Sequence, residues 1–162
     1  MSHTIAYTAG ASREQIYGEL LPQIEGLVRG CEEIANLANV TAVLRAAFGF
    51  PWVGFYRTTA PNLLTVGPYQ GNVPCIEIPF GRGVCGVAAR EQSTLIVADV
   101  EQFPDYIACE DGVRSEIVVP GVFEGRTRFV LDIDSNHPDD FGEVDRHYLE
   151  RIVAMIVAEL GG

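Results

Sequence analysis

Two strand-like runs, Ser115–Phe123 and Arg126–Asp134, face each other across Glu124-Gly125. An acidic residue followed by Gly between two such runs signals a tight hairpin turn. That hairpin commits the middle of the chain to antiparallel pairing. Further strands read at Trp52–Arg57, Leu63–Val66, Cys75–Ile78 and Thr94–Ala98, with breaks at Gly67, Pro68 and Gly71. Their short connections favour an antiparallel sheet of five or six strands.

Helical spacing brackets this region. Ser12 and Gln15 form a capping box, and Ile16, Leu20, Ile24 and Leu27 follow, with Pro22 as a candidate break. A second helix is predicted from Cys31 to Phe48, with Ile34, Leu37, Leu44 and Phe48 near one face and Gly49 and Pro51 at its end. A short helix, Val84–Glu91, follows Gly81-Arg82-Gly83. Residues 99–113 read as a long polar loop. Asp140 and Glu143 form a second predicted capping box, ahead of a stripe running from Phe141 to Leu160 that Gly161-Gly162 ends. The expected class is α+β, with helices gathered on one side of the sheet.

At 162 residues the chain has the length of one domain, and 48% hydrophobic with 20% charged residues suits a packed core. No apolar run is long enough to span a bilayer. Met1-Ser2-His3-Thr4 lacks the basic and apolar regions of a leader, so a cytoplasmic location is expected. All eleven basic residues are Arg. The absence of Lys excludes P-loop, Schiff-base and kinase-type lysine chemistry. Seven acids and six Arg occupy residues 1–98, against fifteen acids and five Arg in residues 99–162. Such a chain is repelled by nucleic acid and anionic membrane. Most of these acids serve solubility, but a few gathered in a site would suit a cationic ligand.

Asp132 and Asp134 sit two apart in a strand, so they share a face, while Leu131 and Ile133 take the other. Glu116 lies on the partner strand, in a register that can bring it beside Asp132. Like charges gathered there repel unless solvent or a cation separates them. Trp52 and Tyr56 also share a strand face, as core or as pocket wall. Of the four cysteines, Cys85 opens a helix beside Arg82, a setting that favours thiolate. Cys109 lies among Asp105, Glu110 and Asp111, which raise a thiol pKa and offer little core. Cys75 follows Pro74 at a strand start, and Cys31 reads as a small buried hydrophobe. No pair is CxxC, and His3, His137 and His147 supply no tight ligand pair, so no structural zinc site or other metal is expected.

Several strings together form a pattern: Ile34-Ala-Asn-Leu-Ala-Asn39, Trp52-Val-Gly-Phe-Tyr56, Gly67-Pro-Tyr-Gln-Gly71, Ile78-Pro-Phe-Gly-Arg-Gly-Val-Cys-Gly86, Ile107-Ala-Cys109, Ser115-Glu-Ile-Val-Val-Pro120 and Leu131-Asp-Ile-Asp-Ser135. The chain resembles the free methionine-(R)-sulfoxide reductases, enzymes built on a GAF domain. The match runs in order over nearly the whole chain. It implies a single GAF domain over residues 1–162, a six-stranded antiparallel sheet flanked by N- and C-terminal helices, and a homodimer. It also implies reduction of free methionine-(R)-sulfoxide by cysteine chemistry, with thioredoxin as external reductant and no bound cofactor. Cys75, Cys85 and Cys109 fall on the family cysteines, Glu116, Asp132 and Asp134 on its pocket carboxylates, and Trp52 and Tyr56 on its pocket aromatics. Phe129 stands near a position where the family usually has glycine, and Arg114 where it favours small residues.

Sulfoxide reduction needs an attacking thiolate, protons for the departing oxygen and a second thiol to resolve the sulfenic acid. Helix position favours Cys85 as attacker; nearness to Glu116 favours Cys109. Because reach outranks resting pKa, Cys109 is the expected nucleophile, with Cys75 and Cys85 both open as resolving thiols. Two rivals are a GAF-type sensor without catalysis and a thiol peroxidase. Three motif-placed cysteines argue against the first, and paired acids beside the thiolate against the second.

Overall fold

The computed structural model describes residues 3–161. Met1 and Ser2 of the leader reading, and Gly162 of the helix stop, lie outside the described residues. The elements are α1 (Arg13–Val28), α2 (Glu33–Phe48), β1 (Trp52–Ala60), β2 (Leu63–Gln70), β3 (Glu77–Pro79), α3 (Gly83–Glu91), β4 (Leu95–Val97), β5 (Ser115–Phe123), β6 (Arg126–Ser135) and α4 (Glu143–Glu159). One six-stranded sheet forms in the order β3-β2-β1-β6-β5-β4, with every neighbouring pair antiparallel. The expected hairpin closes with Phe123 opposite Arg126, and Glu124 and Gly125 both adopt positive φ, the conformation a tight two-residue turn demands.

Period-two alternation splits β1, β5 and β6 into two faces. Phe55, Ile117, Val119, Phe129, Leu131 and Ile133 enter one core with the apolar stripes of α1, α2 and α4. Trp52, Tyr56, Val118 and Val130 enter a second core against Val84, Cys85, Ala88 and Ala89 of α3. The expectation of helices gathered on one side is therefore corrected: α3 covers the opposite face. No described helix is long and apolar enough to cross a membrane.

Local expectations shift for identifiable reasons. Pro22 does not break α1, whose buried Leu20, Leu21 and Ile24 hold it to the core on both sides of the proline. Helix α2 starts at Glu33 rather than Cys31, because the Glu32 carboxylate caps the amides of Ile34 and Ala35. Cys75 precedes β3 instead of opening it. The cap of α4 lies two residues later than the sequence suggests. Asp145, not Glu143, reaches back to the Gly142 amide at 3.0 Å, and it also accepts from the buried Tyr17 hydroxyl at 2.7 Å. Asp140 instead accepts from Ser135 Oγ and pairs with Arg13.

Phe129 does not crowd its strand. It lies opposite Gly121 on β5, with its ring over the glycine and edge-on to Phe55 at 5.4 Å. A Cβ at Gly121 would stand 2.5 Å from the Phe129 ring. The cross-strand glycine thus supplies the space that the aromatic takes. Gly121→Ala is expected to destabilise the fold by about 1–3 kcal/mol through overpacking. Urea unfolding measures this, and the double variant Gly121→Ala/Phe129→Leu should recover part of the loss.

Candidate active site

The site sits on the sheet face that α3 covers. In register, Trp52 on β1, Asp134 on β6 and Glu116 on β5 form one row across three strands. Gly54, Asp132 and Val118 form the next row. The ladder thus pairs Glu116 with Asp134, not with Asp132 as the sequence suggested. The Glu116 side chain nevertheless reaches diagonally to the Asp132 carboxyl. Cys85, from the first turn of α3, lowers its sulfur onto this pair, so that Sγ and one oxygen each of Glu116 and Asp132 lie within 4.8 Å of one another.

A small cavity opens above the carboxyls. It is lined by Trp52, Tyr56, Cys85, Cys109, Glu116, Asp132 and Asp134, so seven of the eight site residues expected from sequence converge on it. The eighth, Cys75, is bonded to Cys109 with S–S 2.10 Å and Cα–Cα 5.0 Å. The segment carrying Cys109 is thereby tied across the mouth. Trp52 Nε1 donates to the Asn72 carbonyl and Tyr56 Oη to the Cys75 carbonyl, which fixes both aromatic walls. Trp52 also stacks on Tyr69 at 5.4 Å. Tyr69 faces Gly54 across the ladder, where a Cβ would come within 2.3 Å of the Tyr69 Cβ.

No lining residue is basic. Burial, then the neighbouring carboxyls, push Glu116 and Asp134 well above the usual carboxylate range. Burial also lifts Asp132, to about 6, against hydrogen bonds from Glu116 and Cys85 that favour its charge. Its Oδ1 is buried with no hydrogen-bond partner. The cluster therefore holds protons more tightly than free carboxyls do and keeps one acceptor unspent.

The thiols are arranged differently from their expected environments. Burial, followed by Asp132, Glu116 and Asp134, drives the Cys85 thiol upward, so the helix terminus does not make it a thiolate. Arg82 is exposed and makes no side-chain cap to α3. Cys31 is exposed, not buried, because it lies outside α2 in the turn that precedes it. Arg114 is exposed and does not line the cavity; its backbone instead pairs with Ser135 and Val100.

Two polar lining residues were not among the site residues expected from sequence. Tyr106 and Glu110 come from the closing segment. Glu110 accepts from Asn72 through Oε1, while its Oε2 is buried without a partner. Their one sequence signal is position, three residues before Cys109 and one after it.

The family model for the GAF domain matches residues 32–160. The chain is 39% identical over 161 residues to the free methionine-R-sulfoxide reductase of Saccharomyces cerevisiae, covering 94% of this chain and 89% of that one. It is 47% identical over 157 residues to GAF domain-containing protein A of Dictyostelium discoideum, covering 96% and 99%. Its fold superposes with a TM-score of 0.95 on the free methionine-R-sulfoxide reductase of Neisseria meningitidis solved in complex with its substrate, at 43% identity and 99% and 96% coverage.

Two measurements check the site. In the disulfide-bonded protein, a thiol reagent should label Cys31 quickly and Cys85 only on unfolding; rapid labelling of both would contradict the burial of Cys85. Because Asp132 is raised in the folded state, its protonated form stabilises the fold fully below the unfolded pKa near 4, and that stabilisation is lost as pH rises through about 6. Urea unfolding across this window should show wild-type stability falling more steeply with pH than that of Asp132→Asn.

Proposed function

The chain belongs to the free methionine-(R)-sulfoxide reductase family of GAF domains, and we propose that this oxidoreductase reduces free methionine-(R)-sulfoxide at Cys109. The observation that carries the reading is the meeting, in one cavity, of Cys109 with three buried carboxyl groups whose hold on a proton burial strengthens. The Cys109 thiolate attacks the sulfoxide sulfur. The oxygen is transferred to Cys109 as a sulfenic acid, and methionine leaves as the thioether. A carboxyl kept protonated by its neighbours donates to the sulfoxide oxygen as the S–O bond to methionine breaks. The Cys75 thiol then attacks the sulfenic sulfur, forming the Cys75–Cys109 bond and releasing water. A dithiol donates two electrons and two protons to restore both thiols. One sulfoxide and two external thiols thus become one thioether, one disulfide and one water.

The bond between Cys75 and Cys109 supports Cys75 as the resolving thiol, while Cys85, buried against Asp132, stays outside it. Trp52 and Tyr56 enclose the S-methyl end. Thioredoxin is the reductant we propose. Val73 and Ile76, at 80% and 66% exposure, flank Cys75 and offer such a protein an apolar landing beside the disulfide. No bound cofactor enters the scheme. We place the protein in the cytoplasm as a homodimer whose GAF domain spans residues 1–162.

An ionised carboxylate in the cluster holds the substrate's α-ammonium group. N-acetylmethionine sulfoxide keeps the reacting sulfur and removes only that charge. A buried carboxylate left unpaired costs about 3–5 kcal/mol, so kcat/KM should fall at least roughly a hundredfold for the N-acetyl compound. Comparable rates for the two substrates would reject the ammonium pocket. Cys109→Ser should abolish turnover; full activity in that variant would move the nucleophile to Cys85.

A further inference from the structure

The floor of the pocket has the make-up of a metal site. Cys85 Sγ, a Glu116 oxygen and an Asp132 oxygen lie within 4.8 Å of one another, and all three side chains are buried. Asp132, only 6% exposed, keeps Oδ1 without a partner. No Arg lines the cavity to neutralise the cluster.

We propose that Cys85, Glu116 and Asp132 bind a divalent cation of borderline softness, Zn2+ or Cd2+, and that the bound ion excludes the substrate. The exclusion rests on the sulfoxide-reductase reading; the binding does not. A thiolate among the donors disfavours Mg2+ and Ca2+, which prefer an all-oxygen shell. Metal–sulfur bonds near 2.3 Å and metal–oxygen bonds near 2.0–2.2 Å set tetrahedral donor separations of about 3.5 Å. Small side-chain rotations bring a triad already within 4.8 Å to that spacing. Three protein donors leave a fourth position for water or for Asp134, whose strand row adjoins that of Asp132. The absence of tight sequence spacing does not weigh against such a site. Its ligands come from α3, β5 and β6, and the sheet, not a loop, brings them together.

The same carboxylates cannot bind an ion and an α-ammonium group at once. Metal and free methionine sulfoxide therefore compete. The ion would also coordinate Cys85 without touching the Cys75–Cys109 pair, so inhibition would not require capture of either redox thiol.

The triple variant Cys31→Ser/Cys75→Ser/Cys109→Ser keeps Cys85 as its one thiol, leaves the closing segment untied and cannot turn over. Titration with Cd2+ should give one ion per chain and a thiolate-to-cadmium charge-transfer absorbance. Adding Cys85→Ser should abolish that absorbance. Adding Glu116→Gln or Asp132→Asn should weaken binding at least tenfold, with near-ultraviolet circular dichroism of Trp52 reporting that the fold is kept. Free methionine sulfoxide should displace the ion and raise its apparent Kd. Absence of the absorbance in the folded triple variant, or unchanged affinity in both carboxylate variants, would overturn the site. Retained absorbance at saturating methionine sulfoxide would overturn the exclusion alone. Wild-type turnover is measured separately, so a failure of the reductase reading is distinguishable from a failure of the metal site.

Discussion

Burying several carboxyl groups together on one face of a sheet, without a basic residue among them, is the constraint around which this molecule is arranged. Each charge removed from water carries a large desolvation cost, and each like neighbour adds to it. Burial and repulsion from neighbouring carboxyls displace Glu116, Asp132 and Asp134 upward, which lessens that cost by favouring their neutral forms. Everything that touches these groups follows from it. The Cys85 thiol is driven up with them, and so are the hydroxyls of Tyr56 and Tyr106. A site of this kind favours proton donation and the capture of positive charge.

The strand period couples this site to the core that stabilises it. On β6, Leu131 and Ile133 enter the three-helix core, while Asp132 and Asp134 enter the pocket. A slip of one residue would put both acids into the apolar layer and both aliphatics into the pocket. Phe129 over Gly121 and the hairpin turn at Glu124-Gly125 hold the register against that slip. The catalytic geometry is therefore a by-product of the same alternation that builds the hydrophobic core.

That coupling explains what was legible in the sequence. Asp132 and Asp134 on one strand, Glu116 on its hairpin partner and Trp52 with Tyr56 were readable from period and order, and the sheet brings them together. The direct pairing of Glu116 with Asp134 was not, because register across a hairpin depends on the turn and on one irregularity between Gly121 and Val122. The environments of the cysteines were misread for a similar reason. A helix terminus and a neighbouring Arg are local features, whereas burial beneath a sheet is not, and at Cys85 burial is the larger effect. At Cys31 the apolar character of a free cysteine suggested burial, but the Glu32 cap starts α2 two residues too late to carry it inward. Tyr106 and Glu110 arrive through a tertiary closure that no periodicity encodes.

The closure itself separates an enzyme from a sensor built on the same fold. A binding module needs its mouth segment only to open and shut, and noncovalent contacts suffice for that. Here the segment carrying Cys109 is tied to Cys75 by a covalent bond. Forming that bond removes two electrons from the protein, and opening it returns them. In the proposed cycle each closure therefore accompanies one two-electron reduction of a bound oxidant. In that cycle the tied state is the spent form, in which Cys109 would not attack until an external dithiol acts. The flank of Cys75 carries the most exposed large apolar side chains of the described residues, Val73 and Ile76, which suits it to the dithiol protein of the proposed cycle. The acidic floor lies beneath on the sheet, so Cys109 of the redox pair and the carboxyls come to one cavity from different elements of the fold.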